Sequence, residues 1–311
     1  MKVLVTGGTG FVGREIMRQL HDAGCEVHIL ARGSRAGGME ATRIAVMHVG
    51  EVLDAKSLGD VCRGMDAVIH LVGIIGEVGT NTFEAVHVQG TRNMLTASRE
   101  AGVKRFVHMS ALGTRANAVS RYHHSKWKAE EFVRASGLDW TIFRPSIIYG
   151  PGDGFVNLFA KIIRRSPVVP IIGDGKSKFQ PVPVASVAKA FVQALAEPRA
   201  IGRAFDLCGP ETLSLNQIID EILHMMRKKR LKAHVPITIA RIQAALMEIV
   251  FAKFARKAPP LSRDQIVMLQ ENNVGDGQPA AELLNLQFAP FKDGIARYLN
   301  PQSAAGQVSM P

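Results

Sequence analysis

Lys2-Val3-Leu4-Val5-Thr6-Gly7-Gly8-Thr9-Gly10-Phe11-Val12-Gly13 is a short apolar run that passes straight into glycines. The spacing predicts a strand over residues 2–6, a glycine turn, and an amphipathic helix over residues 12–23 with Val12, Ile16 and Leu20 on one face. This order aims free N–H groups and the positive end of a helix dipole at one point, where a pyrophosphate can sit. Gly7 suits the tight turn, Gly10 the close approach of backbone to ligand, and Gly13 the close packing of helix on strand. Gly7, Thr9, Gly10, Phe11, Val12 and Gly13 are therefore the expected pyrophosphate contacts of a dinucleotide.

Outward from this turn, residues 1–150 alternate strand and helix patterns at short spacing, the pattern of a parallel sheet covered on both faces. Strands are expected over residues 2–6, 26–31, 44–49, 67–71, 105–109 and 140–143, with helices over 12–23, 55–62, 82–100 and 123–135. The fold class is α/β: a doubly wound parallel sheet, or Rossmann fold, over residues 1–150. A smaller α/β substrate-side lobe over 151–299 follows, some of its elements returning to the main sheet, and residues 300–311 read as a frayed tail. In the lobe, helices are expected over 154–165, 187–196, 215–230 and 237–257, and strands over 168–172 and 204–207.

The chain has 311 residues, 47% of them hydrophobic, enough to bury a substantial core. Cys25, Cys62 and Cys208 are odd in number and show no metal or redox spacing, so they read as small buried hydrophobes in a reducing compartment. No leader precedes the first strand, and no apolar run approaches the roughly 18–20 residues of a membrane span, so a cytoplasmic location is expected. His70, His108, His123 and His124 lack metal-ligand spacing, and no metal is expected.

The net charge is +11. It fits either general solubility or an anionic partner: a phosphorylated cofactor, a membrane surface or nucleic acid. The basic clusters at 164–165 and 227–232 lack interleaved stacking aromatics and that at 253–257 has only Phe254, which argues against nucleic acid. Residues 236–257 form one helical pattern, with Ile239, Ile242, Ala245, Leu246, Ile249, Val250 and Phe254 on its apolar side. That side either packs within the lobe or rests on an anionic membrane or a respiratory partner.

At the end of the second strand, an NAD site usually places a carboxylate on the ribose hydroxyls. This chain has Leu30-Ala31-Arg32-Gly33-Ser34-Arg35 there. Two guanidiniums suit a 2′-phosphate, so NADP(H) is expected over NAD(H), which remains the second choice. Glu51 and Val52, after the third strand, are placed at the adenine, and Leu71, Val72 and Gly73 line the dinucleotide after the fourth.

One of the three tyrosines, Tyr122, has Lys126 four residues later. On a helix the phenol and ammonium then share one face, where the cation favours phenolate and can also hold the nicotinamide ribose.

With Thr6-Gly7-Gly8-Thr9-Gly10-Phe11-Val12-Gly13, this Tyr122/Lys126 pair resembles the short-chain dehydrogenase/reductase superfamily in its extended or atypical, epimerase/dehydratase-like branch. Phe143-Arg144-Pro145-Ser146 and Tyr149-Gly150-Pro151 resemble that branch's segment beside the nicotinamide, which implies a cofactor contact at Pro145. More narrowly, five segments are similar to the relatives of the NADPH-binding alpha-subcomplex subunit nine of respiratory complex I: His70 to Ile75, Gly90-Thr91-Arg92-Asn93, His108 to Gly113, Tyr122 to Trp127, and Gly152-Asp153-Gly154-Phe155. The resemblance implies bound NADPH and a link to quinone or respiratory metabolism. Tyr122, Lys126 and Ser110 become the candidate catalytic residues.

Two positions depart from the pattern. Ala111 stands where active members carry the polarising Ser or Thr, and His87 replaces the helix asparagine. Two readings follow: an NADPH-dependent oxidoreductase acting on a carbonyl or alcohol, quinone-like or isoprenoid, or a non-catalytic NADPH-binding accessory or assembly protein of a respiratory or ubiquinone-biosynthesis complex. A nucleotide-sugar epimerase, a third class, usually needs the complete Ser/Thr-Tyr-Lys set and NAD.

Overall fold

The computed structural model describes residues 1–33, 41–251 and 258–299. Its centre is a seven-stranded parallel sheet of β1 (Lys2–Thr6), β2 (Glu26–Ala31), β3 (Ala45–Val49), β4 (Ala67–His70), β5 (Arg105–Met109), β6 (Asp139–Pro145) and β11 (Arg203–Leu207), in the order β11-β6-β5-β4-β1-β2-β3. The order reverses between β1 and β4, and that switch point leaves a crevice at the strands' carboxyl ends. β1 is buried on both faces. Val3 and Val5 enter the core beneath α1 (Phe11–Asp22), while Leu4 enters the core on the opposite face. The first face is covered by α1, the short α2 (Ala41–Ile44), α6 (Val184–Ala194) and α10 (Gln278–Leu283), and the second by α3 (Gly90–Glu100) and α4 (Arg121–Arg134).

Smaller strand pairs lie outside this sheet. β7 (Ile148–Tyr149) pairs in parallel with β10 (Val182–Pro183), and β9 (Lys178–Phe179) pairs antiparallel with β12 (Leu213–Ser214). β8 (Val168–Ile172) pairs in parallel with β13 (Leu231–Val235). A second core joins α5 (Val156–Arg165), α7 (Leu215–Met225) and α11 (Phe291–Leu299). A small third one joins α8 (Ile237–Val250) to α9 (Arg263–Gln270) through Ala240, Ala244 and Ile266.

Three expectations are corrected. The helix foreseen over 55–62 is a single 3-10 turn, Ala55–Ser57, capped by Asp54, and Gly59 stands just beyond it. The helix over 82–100 opens as a π-helix, Glu84–Gln89, before α3. The helix over 215–230 stops at Met225; Arg227 adopts a positive φ of 52°, and the chain then forms β13.

α4 is fastened to β6 by a buried carboxylate. Glu130 is fully buried and accepts from Arg144 Nε (2.8 Å) and Nη2 (2.6 Å) and from Arg134 Nη2 (2.6 Å). Removing the carboxylate leaves Arg144 partly desolvated without its hydrogen-bonded counter-charge, only the field of Asp206 remaining, which costs about 3 kcal/mol. Glu130→Ala is expected to lower the urea midpoint accordingly, and a loss below about 1 kcal/mol would show that the pair does not anchor the helix.

Candidate functional site

The glycine turn sits at the carboxyl end of β1. Gly7 has φ +77°, and a Cβ there would lie 3.3 Å from the Leu71 carbonyl carbon and from Val72 N, so turn and β4 exit touch backbone to backbone. Gly10 N–H donates to the Gly7 carbonyl (3.0 Å), and Arg14 N–H donates to the Gly10 carbonyl (3.0 Å) as the first bond of α1. The N–H groups of Phe11, Val12 and Gly13 thus have no intrahelical acceptor and face the crevice end of the helix. A Cβ on Gly13 would overlap the Gly7 carbonyl oxygen and come within 2.6 Å of Gly8 Cα. Gly13 therefore lets α1 rest on the glycine turn itself, a correction to the expected contact with the strand. The first turn of α1 contains no acid, so nothing there repels a phosphate. Backbone donors, helix dipole and the space kept by missing Cβ atoms fit a pyrophosphate.

At the adenosine end, exposed Arg32 follows β2 and places Nη1 3.5 Å from Glu51 Oε1. Glu51 is itself held by the turn after β3, its N–H donating to Ser57 Oγ (3.1 Å). Val52 is buried beneath it, and a Cβ on Gly90 would meet Val52 Cγ2 at 3.0 Å. Arg35 lies outside the described residues. After β4, Leu71 is buried and its N–H extends the ladder to the Thr6 carbonyl (3.1 Å), while Val72 is half-buried and Gly73 is exposed.

At the other end of the crevice, α4 carries Tyr122 and Lys126. Lys126 is buried, its Nζ donates to the Met109 carbonyl (3.0 Å), and a Cβ on Gly73 would come within 3.2 Å of that nitrogen. Burial pulls the ammonium down to about 8 against the favourable field of Glu130. The Tyr122 ring packs edge-on against His87 (5.3 Å), Phe83 (5.9 Å) and His123 (5.3 Å), and burial pushes its phenol up to about 12. The phenol is thus a proton donor at neutral pH, where the i,i+4 spacing had suggested a phenolate favoured by Lys126. Ser110 is buried, donates its N–H to the Phe143 carbonyl (2.7 Å), and has its hydroxyl 3.4 Å from Thr114 Oγ1. Pro145, at the end of β6, is buried, and its carbonyl accepts from Leu112 N–H (2.9 Å).

His87 does more than replace an asparagine. Its Nε2 accepts from Ile74 N–H (3.0 Å), and its Nδ1 lies 2.8 Å from Ser125 Oγ, whose own proton goes to the Tyr122 carbonyl (2.7 Å). Only a neutral ring with Nδ1 protonated satisfies all three bonds. The ring ties the β4 exit to α4.

Asp264 is the residue sequence reasoning missed. Its carboxylate accepts from Arg121 N–H (2.7 Å), Tyr122 N–H (3.1 Å) and the Ser120 hydroxyl (2.9 Å), capping α4 from α9. Arg115, in the loop before α4, pairs through both terminal nitrogens with Glu271 (2.9 and 3.0 Å) just past the other end of α9. The capping box Ser262-x-x-Gln265 announces α9 in the sequence, but nothing local announces its partner.

His70 and His87 are held neutral by burial and by the Lys126 charge, down to about 3 and about 2, and His108 shifts the same way. The unfolded chain binds protons on these rings below about pH 6.5 and the folded chain does not, so stability falls as pH drops through that value. Two such rings give a slope of roughly 2 kcal/mol per pH unit between pH 6 and pH 5, a window above the ordinary carboxylate range. Urea midpoints measured at pH 7, 6 and 5 should fall in that order, and a flat series would refute the neutral-ring assignment.

Among the described residues no group of His, Cys, Asp and Glu could hold a metal ion, and no helix is long and apolar enough to cross a membrane. Residues 3–208 match the model of the NAD dependent epimerase/dehydratase family. The chain is 30% identical over 279 residues to NADH dehydrogenase [ubiquinone] 1 alpha subcomplex subunit 9 of Arabidopsis thaliana mitochondria, a match covering 86% of this chain and 68% of that protein. It is 32% identical over 172 residues to the ceramide reductase of Caulobacter vibrioides, covering 55% of this chain and 54% of the reductase. UDP-glucose 4-epimerase of Thermotoga maritima shares the fold at a TM-score of 0.76 and 20% identity, covering 99% of this chain and all of that one. A glycine turn fit for pyrophosphate, on a sheet of this order and with a family match across two-thirds of the sequence, has one consequence: the chain belongs to the NAD dependent epimerase/dehydratase family.

Proposed function

We propose that this protein is an NADPH-dependent oxidoreductase that reduces the carbonyl of an apolar, quinone-like or isoprenoid substrate. The observation that carries the reading is the protonated phenol of Tyr122 one helical turn before a buried, cationic Lys126, at the same crevice as the glycine turn. When bound, the cofactor supplies hydride from its nicotinamide. The residues of the chain do the rest. Phe11, Val12 and Gly13 offer N–H groups to the pyrophosphate. Arg32 and Arg35 would take the 2′-phosphate, with Arg32 Nη1 lying 3.5 Å from Glu51 Oε1. Lys126, whose Nζ lies beside Gly73, would hold the nicotinamide ribose, and Ser110 would polarise the carbonyl. The carbonyl carbon gains hydride, and its oxygen gains the Tyr122 proton. A phenol whose proton is held tightly suits this direction, with the proton returning from solvent after release of the alcohol.

The names of the relatives support both halves of the reading: one is a reductase, the other a subunit of a quinone-linked dehydrogenase. Cytoplasmic placement at the inner face of a membrane goes with it.

One observation favours a second reading, a non-catalytic NADPH-binding accessory protein. His87 has both ring nitrogens committed, and Ala111 brings no hydroxyl, so the asparagine relay and the usual polarising group are both absent. In that case the cofactor acts as a folding ligand.

Turnover separates the two. Purified protein is given NADPH with a quinone or an apolar ketone, and oxidation is followed beside Tyr122→Phe. A loss of roughly 100-fold or more in the variant supports the reductase. Equal rates remove Tyr122 from the mechanism, and tight NADPH binding without turnover selects the accessory reading. Fluorescence titration should also show NADPH binding more tightly than NADH, with Arg32→Ala narrowing the gap about tenfold. A preference for NADH in the unaltered protein would reverse the cofactor assignment.

A further inference from the structure

α8 is turned the opposite way from an ordinary surface helix. Its inward contacts are Ile237 at its start and two alanines, Ala240 and Ala244, against Ile266 of α9. Ile239, Ile242, Leu246, Ile249 and Val250 are 51–64% exposed. At 100° per residue these five fall within an arc of about 100° on the side away from the two alanines. Five large aliphatic side chains on one outward stripe of a 14-residue helix form a continuous apolar surface, unlike scattered exposed residues.

The charge of the described residues beside the stripe selects its occupant. Between Arg227 and Val250 there are six lysines and arginines and one acid, Glu248, so this segment supplies five of the chain's eleven net positive charges. Glu248 is itself paired with Arg263, and of the basic residues Lys232 is held by Asp220. Leu231, at the start of β13, is also 73% exposed beside the Arg227–Arg230 run. A second copy of this chain would bring the same excess of positive charge against itself. Nucleic acid would find aliphatic side chains where it needs stacking aromatics. An anionic bilayer satisfies both features at once, with acyl chains for the stripe and headgroup phosphates for the flanking cations.

We propose that α8 docks this protein on the surface of a membrane containing anionic lipid, lying in the interface with its Ile239–Val250 stripe in the acyl boundary. This inference stands apart from the proposed reaction and needs neither NADPH nor turnover.

The test is co-sedimentation of the full chain with vesicles of phosphatidylcholine alone, or with about one-third phosphatidylglycerol, at low and high salt. Binding to the anionic vesicles is expected to exceed binding to the neutral ones by tenfold or more and to weaken with salt. Ile242→Glu with Leu246→Glu changes exposed side chains only, so its thermal unfolding should match that of the parent while vesicle binding falls at least tenfold. Lys228→Glu with Lys229→Glu should weaken anionic binding and leave the small neutral-vesicle binding unchanged. No binding to anionic vesicles overturns the proposal. Binding that survives Ile242→Glu with Leu246→Glu overturns it as well, since adsorption would then be by charge alone. A dimer in solution that this double variant dissociates would assign the stripe to a second copy.

Discussion

A single buried cation organises the site. Lys126 is taken out of water at the carboxyl ends of β4 and β5, where the Met109 carbonyl is its hydrogen-bond acceptor and Glu130, one turn further along α4, is the balancing charge. Burial first, and the nearby ammonium second, keep His70, His87 and His108 neutral, and neutrality decides what His70 and His87 can bond to. His70 bridges Thr6 of β1 (2.7 Å) and Thr91 of α3 (3.2 Å), and its ring stacks on His108 (5.5 Å). His87 links the β4 exit to α4. The polar interior beneath the crevice is thus a set of uncharged rings around one charge, and the same rings that fix the geometry of the strand ends keep the ammonium from being neutralised by a closer partner.

The carboxylates are arranged to match. Glu130 is shared between two arginines that reach it from β6 and from α4 itself, so it supplies its field to Lys126 without forming a direct pair with it. Had it bonded Lys126 directly, the ammonium would have been turned away from Gly73 and the crevice. The division of labour keeps the cation available to a ligand while still charged near neutral pH.

What could be read from the sequence was what is written locally. The glycine turn, the order of strand and helix, and the Tyr122/Lys126 spacing are all encoded within a few residues, and the sheet followed from them. Misreadings occurred where a local signal was ambiguous. The 55–62 stretch has helix-compatible composition, but Gly59 stands just past its single turn. The end of α7 carries no glycine, because Arg227 itself takes the left-handed conformation, so the basic run read as more helix and β13 went unseen. Periodicity located the stripe on α8 but not its direction: a hydrophobic pattern looks the same whether it faces a core or solvent, and only the Ile237, Ala240 and Ala244 contacts show which side faces in. Asp264 was invisible because its partners lie more than 140 residues upstream.

That last contact ties the late part of the chain to the start of α4. The start of α4 obtains its acceptors from Asp264, and the loop leading into it from Glu271, both contributed long after the last strand of the main sheet has been made. During synthesis, a chain that has emerged only as far as β11 has every strand it needs, yet Tyr122 stands at a helix start with its donors open to water. The start of α4, not the sheet, reaches its final hydrogen bonding only when α9 arrives.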